Sequence, residues 1–370
     1  MIAIVDHVGI KAGMDHYTSG LASGLLENGC RVCVYSNYSR SDLGYEVVEI
    51  FDGHSSFHFV RKLVRHIRAL IVACSRARKS DARLLIQHVF ASDYVSLLNG
   101  CVAKVFGRRL LVIAHDVSSL ADEDVDWIRK LLYQVIADKI VVHNEYSLSC
   151  LRSLGLSLKQ DSVEVLRHGS YLDSRVQKVD KQKARASLGL APSGRYLLFF
   201  GQIKQVKGLD ILLQSMSLID SDVNLIVAGK PWKDSFDSYE VLIKELDLDS
   251  RIERRVRFIE DSERDLLFSA ADCIVLPYRQ VFQSGVLLMV MGFGLPVIAS
   301  DLPSISEIVT HSKNGLLFRS EDSSDLAKCI SEFYEMNDWE LIANAAQATI
   351  QDQFSWTSIA ARYAAIARSS

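Results

Sequence analysis

The run Ile2-Ala3-Ile4-Val5 is apolar at every position rather than at alternate ones. A strand of that kind has no face to give to water and belongs in a parallel sheet buried on both sides. Parallel neighbours need a crossover, and the sequence supplies one. A loop at Gly9 to Gly13 leads into helical spacing (Tyr17, Leu21, Leu25, Leu26) that stops at Asn28-Gly29, before a second strand at Val32 to Tyr35. The same alternation predicts strands at Leu84 to Gln87, Leu110 to Ala114, Lys139 to Val142 and Val163 to Leu166. From Ser170 to Arg195 the chain turns polar, with Pro192, Asp180, Lys181 and Lys183, and a new series then begins. Its strands are expected at Tyr196 to Phe200, Asn224 to Ala228, Val256 to Ile259, Cys273 to Leu276 and Pro296 to Ala299. The reading is α/β, two doubly wound Rossmann-like domains facing across a cleft: 1–175, a linker at 176–195, and 196–355, with a last helix at 356–370 crossing back to the first domain.

Composition narrows what such a protein does. Hydrophobic residues make up 49% of the 370 and charged ones 24%, enough to build two cores. The net charge of −3 implies no general affinity for polyanions, so a nucleic-acid partner is not expected. Seven scattered cysteines, with no apolar leader before them, point to reduced thiols and a cytoplasmic setting. Cys30 and Cys33 form the one CxxC, but they lie in a strand-like run with no second pair, which favours packing over metal binding. The longest apolar window, Gly285 to Ser300, is broken by Gly292, Gly294 and Pro296, so any membrane contact is peripheral. No GxGxxG follows the first strand, which argues against a nicotinamide enzyme.

Anion-binding chemistry concentrates in the second half. After the strand at Tyr196 to Phe200 come Gly201, Gln202, Lys204 and Lys207, then a helix from Gly208. A flexible glycine, two ammonium groups and a helix N-terminus suit a diphosphate; solvated lysines on a surface turn would look the same. Some 75 residues on, Pro277-Tyr278-Arg279 and Gln283-Ser284-Gly285 precede an apolar helix beginning at Val286. Ser284, Gly285 and Val286 offer a hydroxyl and backbone amides, and Arg279 offers charge, although an N-cap serine explains Ser284 equally well.

Taken together, Gly201 to Gly208 with Leu209-Asp210, Val227-Ala228-Gly229, Ala271 to Pro277, Gly294 to Asp301, Glu307-Ile308-Val309 and Asn314 to Leu317 resemble a group 1 (family 4) glycosyltransferase of the GT-B fold. In the first half, Ile2 to Asp6 with Gly13 and Tyr17, Ala114-His115-Asp116, Ala137 to Val142 and Arg167-His168-Gly169 resemble the acceptor-side domain. The resemblance implies sugar transfer from a nucleoside diphosphate sugar (UDP- or GDP-linked) to a glycan or lipid-linked acceptor, with retention and with neither metal nor other cofactor. It implies catalytic roles for His115 and Lys207, a donor diphosphate held by Lys204, Lys207, Gln202, Arg279, Ser284, Gly285 and Val286, and an acceptor or diphosphate loop at Gly13. His168 before Gly169 could serve the same cleft as His115, although its interdomain loop gives a structural explanation as well, and His16 and Asp15 are near enough to Gly13 to matter.

This chain departs from the family's pattern at three places. Gln202 stands where most members carry a basic residue, and the two acids of the Glu-x7-Glu pattern fall on Val281 and Met289. The Ser284-Gly285 pair after Pro-Tyr-Arg resembles a branch that replaces those acids. A non-catalytic GT-B scaffold that binds nucleotide or partner proteins stays open beside the transferase. Asp124-Val125-Asp126 spells the metal-holding DxD of a different glycosyltransferase fold, but it sits in an acidic helix start, Asp122 to Trp127, where carboxylates favour the helix dipole. Residues 57–78 form a basic amphipathic helix, with Val60, Leu63, Val64, Ile67, Ile71 and Cys74 on one face and Arg61, Lys62, Arg65, Arg68, Arg76 and Arg78 around it. An anionic membrane surface is its expected partner, against the alternative of a helix that packs on the sheet and solvates its charges.

Overall fold

Every side chain of the first strand, β1 (Ile2–Val5), is buried, and the strand lies in the interior of a seven-stranded sheet, third from one edge. In this computed structural model, residues 1–10, 13–52, 59–107, 109–118, 124–159, 161–171, 178–232 and 235–369 are described. Residues 57 and 58 of the expected basic helix, 172–175 of the expected first domain, 176 and 177 of the expected linker, and Asp122 and Glu123 of the acidic helix start lie outside them.

The first sheet continues with β2 (Val32–Ser36), β3 (Glu46–Glu49), β4 (Leu84–Val89), β5 (Arg109–Ala114), β6 (Lys139–Val142) and β7 (Val163–Val165), in the order β3-β2-β1-β4-β5-β6-β7. Its strand pairs are parallel, with Ile2 opposite Val32 on one side and Leu84 on the other. The second contains β8 (Arg195–Phe200), β9 (Val223–Ala228), β10 (Ile252–Arg255), β11 (Cys273–Leu276), β12 (Val297–Ser300) and β13 (Leu316–Phe318), in the order β10-β9-β8-β11-β12-β13. Both orders reverse direction beside their first strand, so each sheet has the switch point of a doubly wound fold.

The chain divides into two compact units, Met1–Gly169 with Phe354–Ser370, and Ser170–Gln353. The terminal helix, Trp356–Arg368, packs on the helix Met14–Glu27 of the first unit. Glycine makes room for it: a β-carbon would fall 2.1 Å from the Trp356 indole at Gly20 and 2.2 Å from it at Gly169.

One expected strand is misplaced. Val256 to Ile259 was expected from its apolar residues, but the ladder runs through Ile252–Arg255. This strand is at the sheet edge, where charged side chains are tolerated: Arg254 pairs with Glu240 and Arg255 with Glu263. Phe258, within the expected run, is 65% exposed.

The basic helix spans Phe59–Lys79 and turns inward a face other than the one traced by its large apolar residues. Ala69, Leu70, Ala73, Cys74 and Ala77 are buried, whereas Val60, Leu63, Val64 and Ile71 are exposed. Small side chains let the helix sit close to the sheet, and hydrophobicity alone pointed to the larger ones. Among the described residues, no helix is long and apolar enough to cross a membrane.

Candidate active site

In the second unit the lysine loop is built by close approach of backbones. Gly201 follows β8 with φ 112°, and Gly229 follows the adjacent β9 with φ 154°. A β-carbon on Gly229 would fall 1.8 Å from the Gly201 carbonyl oxygen, so the two strand ends can meet only as glycines. Gly208, with φ 67°, likewise presses against the Pro277 carbonyl, which a β-carbon would approach to 1.9 Å.

These contacts place the residues singled out from the sequence. Lys207 Nζ lies 3.6 Å above the Tyr278 ring, and Lys204 Nζ 4.0 Å above Trp232. A β-carbon at Gly201 would touch Val286 Cγ2 at 3.5 Å, so the glycine loop and the start of the helix Gly285–Phe293 are neighbours. Ser284 caps that helix, its Oγ accepting from the Leu287 amide at 3.2 Å. Gly285 lies under Tyr171, whose ring edge would be 2.6 Å from a β-carbon there. Gln202 is exposed beside the loop.

Arg279 requires a correction. Its guanidinium donates to Asp210 Oδ1 at 2.9 Å, Asp210 Oδ2 at 2.6 Å, the Gln205 carbonyl at 2.8 Å and Glu321 Oε2 at 3.4 Å. Four of its five N–H groups are thereby drawn onto protein oxygens, and the bonds to Asp210 hold it charged. Its main-chain amide also donates to the Val206 carbonyl. Arg279 therefore ties the lysine loop to the end of β11 rather than standing open for a phosphate.

Val281 is 4% exposed and packed in the core, and Met289 is half-buried. An acid at the first position would be buried and would have to be desolvated.

In the first unit, Gly13 has φ 75° and opens the helix Met14–Glu27 with no side-chain cap and no atom within 4 Å of a β-carbon position. Asp15 and His16 lie half-buried in that first turn. Asp6 shapes the loop before it, its Oδ1 accepting from the Val8 and Gly9 amides at 3.2 and 2.8 Å.

His115 proves to be one member of a buried histidine cluster at the carboxyl ends of neighbouring strands. His88 Nδ1 lies 2.9 Å from His115 Nε2, and His143 Nε2 lies 3.4 Å from His115 Nδ1. Phe90 stacks on the His115 ring at 4.6 Å, and Tyr17 meets it edge-on at 4.9 Å. His168 donates from Nδ1 to the Gly169 carbonyl and packs on Tyr17. Burial, with the other histidines close by, drives His115 well below the ordinary imidazole value, His143 down to about 4 and His168 to about 3. All are neutral at pH 7. Sequence reasoning missed His88 and His143. Each closes or follows an expected strand, but only the strand order sets them on either side of His115.

The DxD-like pair is neutralised internally. Asp124 meets Arg129 at 2.6 Å and accepts from the Ser92 amide, and Asp126 meets the same Arg129 at 3.0 Å. Among the described residues, no group of three or more His, Cys, Asp and Glu side chains is placed to hold a metal ion.

Two parallel Rossmann-like sheets with these strand orders define the GT-B class, and comparisons with solved structures agree. Sucrose-phosphate synthase from Thermosynechococcus elongatus superposes with a TM-score of 0.80 at 20% identity, covering 100% of this chain and 98% of that one. Anabaena HepE in complex with UDP-glucose gives 0.80 at 18% identity, covering 100% and 99%. Within this class, residues 194–336 match the family described as Glycosyl transferases group 1. An uncharacterized glycosyltransferase of Methanocaldococcus jannaschii is 24% identical over 376 residues, 95% of this chain and 93% of its own.

Proposed function

We propose that the chain moves a hexose from a UDP- or GDP-sugar to a glycan or lipid-linked acceptor, with retention and without a metal or other cofactor, in surface polysaccharide or glycolipid synthesis. The observation that carries this reading is the meeting of Gly201 with Val286, which sets the lysine loop beside a helix N-terminus. As the bond from the anomeric carbon to the diphosphate oxygen breaks, negative charge grows on the leaving group. Lys207, Lys204 and the amides of Gly285 and Val286 answer that charge. The acceptor oxygen bonds the same face of the carbon, and its proton passes to the departing diphosphate. A uridine donor is favoured by the UDP-glucose bound in HepE. On the first unit, Gly13 and His115 are the acceptor-side and sugar-side candidates.

The test is calorimetry with UDP, GDP and their sugars, followed by mass spectrometry of products from a donor panel. Binding and transfer that persist in a chelator and collapse in Lys207→Ala are expected. A second reading, a nucleotide-binding scaffold, is favoured by Val281, Met289 and Gln202. Binding without hydrolysis or transfer for any donor would select it.

The helix Phe59–Lys79 supports a peripheral site on the cytoplasmic face of a membrane. Val60, Leu63 and Val64 are exposed beside Arg61 and Lys62, with Arg65 paired to Asp52. Vesicles rich in anionic lipid should bind the protein and release the variant with Arg61, Lys62 and Arg65 reversed to Glu. Equal binding by both would end this proposal.

A further inference from the structure

The histidine cluster has a direction. A carbonyl oxygen only accepts, so the 2.9 Å contact between His143 Nδ1 and the Leu166 oxygen puts a proton on Nδ1. Neutral His143 then has a bare Nε2, which faces His115 Nδ1, so His115 carries its proton on Nδ1. His115 Nε2 is consequently bare and accepts from His88 Nδ1. The same logic leaves His88 Nε2 bare, 3.4 Å from Thr18 Oγ1. Thr18 has one hydroxyl proton, and Asp6 Oδ2, 2.8 Å away, draws it. Two lone pairs meet at this link, so a proton is wanting between His88 and Thr18.

We propose that His88 and His143 are positioning residues that lock His115 as one neutral tautomer, protonated on Nδ1, and that Nδ1 is the nitrogen it can turn to a sugar hydroxyl. Nδ1 makes the longer of its two ring bonds, 3.4 Å against 2.9 Å, so it is released at the smaller cost. The lock stands on the geometry of the first unit alone, whereas the use of Nδ1 rests on the transferase reading. A proton added to Nε2 of His115 or His143 would set two N–H groups head to head. One added to Nε2 of His88 breaks no bond and makes a donor to Thr18, with Asp6 one hydroxyl beyond. The other groups around the chain are the Tyr17 hydroxyphenyl ring, His168 beside His143, and His7 following Asp6.

The test is long-range proton–nitrogen NMR of the full chain with 15N-labelled histidine. At pH 7.5, His88, His115 and His143 should each show a protonated Nδ1 and a bare Nε2, and on acidification His88 should be the first of the three to become an imidazolium. A proton on Nε2 of neutral His115, or His115 titrating before His88, overturns the lock. His143→Asn keeps a donor for the Leu166 carbonyl but is too short to hold an acceptor against His115 Nδ1. In the folded variant, His115 should sample both tautomers; an unchanged His115 signature overturns the role of His143. Donor kinetics form a separate arm. A drop of about tenfold in kcat/KM for His143→Asn is expected from one weakened polar contact, and unchanged kinetics overturn the assignment of Nδ1 to the sugar. If the wild-type protein turns over no donor, the transferase reading fails, taking the sugar role with it, and the spectra alone decide the lock.

Discussion

Arg279 grips Asp210 through two guanidinium N–H bonds of 2.9 and 2.6 Å, joining residues 69 apart in sequence. Such a bidentate pair fixes both distance and orientation, so it holds the lysine loop against the end of β11. Asp210→Asn and Arg279→Lys should therefore raise the donor KM alike, by about tenfold, and the double variant should be no worse than either single one. If Asp210→Asn is silent while Arg279→Lys is not, Arg279 is acting on the donor directly.

Gly20 gives a prediction whose sign reverses. Alanine in a helix interior is favoured over glycine by about 1 kcal/mol. Here, however, its methyl would lie 2.1 Å from the Trp356 indole nitrogen. Overpacking costs about 1–3 kcal/mol, so Gly20→Ala should lower stability in urea unfolding. In a Trp356→Ala background the obstruction is gone and the same substitution should stabilise. A destabilising effect in both backgrounds would show that Trp356 is not what the glycine accommodates.

The order of strands and helices was legible because each buried strand is a short apolar run between turn signals. β1, β5 and β11 carry no competing pattern. β3 and β13 were not found, since Glu46–Glu49 has charged ends and Leu316–Phe318 is only three residues long. The place of the lysine loop after β8 and of Ser284 at a helix start was also legible, since each follows a strand and leads into a helix. What could not be read was which partner each charge takes. Arg279 looked free because Asp210 lies in another element, and His115 looked solitary because its partners come from strands 27 and 28 residues away. Lateral strand order decides both, and hydrophobic pattern says nothing about it.

The buried histidines make stability depend on acid. His143, at about 4, and His168, at about 3, lie below the unfolded value of 6.5, so the unfolded chain binds more protons across that window. Stability is then full above pH 6.5 and falls as pH drops toward 4, by at most about 1.4 kcal/mol per pH unit for each such histidine. Urea unfolding at pH 7.5, 6.0 and 5.0 should show midpoints that decrease in that order. A flat series would mean the rings are solvated.

Val281 and Met289 stand where the resemblance would place two acids, and their surroundings predict opposite responses to restoring them. Val281 is 4% exposed, so Val281→Glu puts a carboxyl into the core, where it must either stay protonated or disrupt the loop that ends at Ser284. A loss of several kcal/mol is expected, roughly the scale for an uncompensated buried charge. Met289 is half-buried on the helix Gly285–Phe293, with room for a carboxylate to reach water, so Met289→Glu should change stability by less than about 1 kcal/mol. If Met289 borders the donor's ribose, the added carboxylate accepts from its hydroxyls and donor KM falls. Calorimetry of UDP binding to both variants separates the cases: an unchanged affinity in a stable Met289→Glu protein removes that helix face from the nucleotide, while full stability of Val281→Glu would show that this loop does not depend on a packed apolar residue.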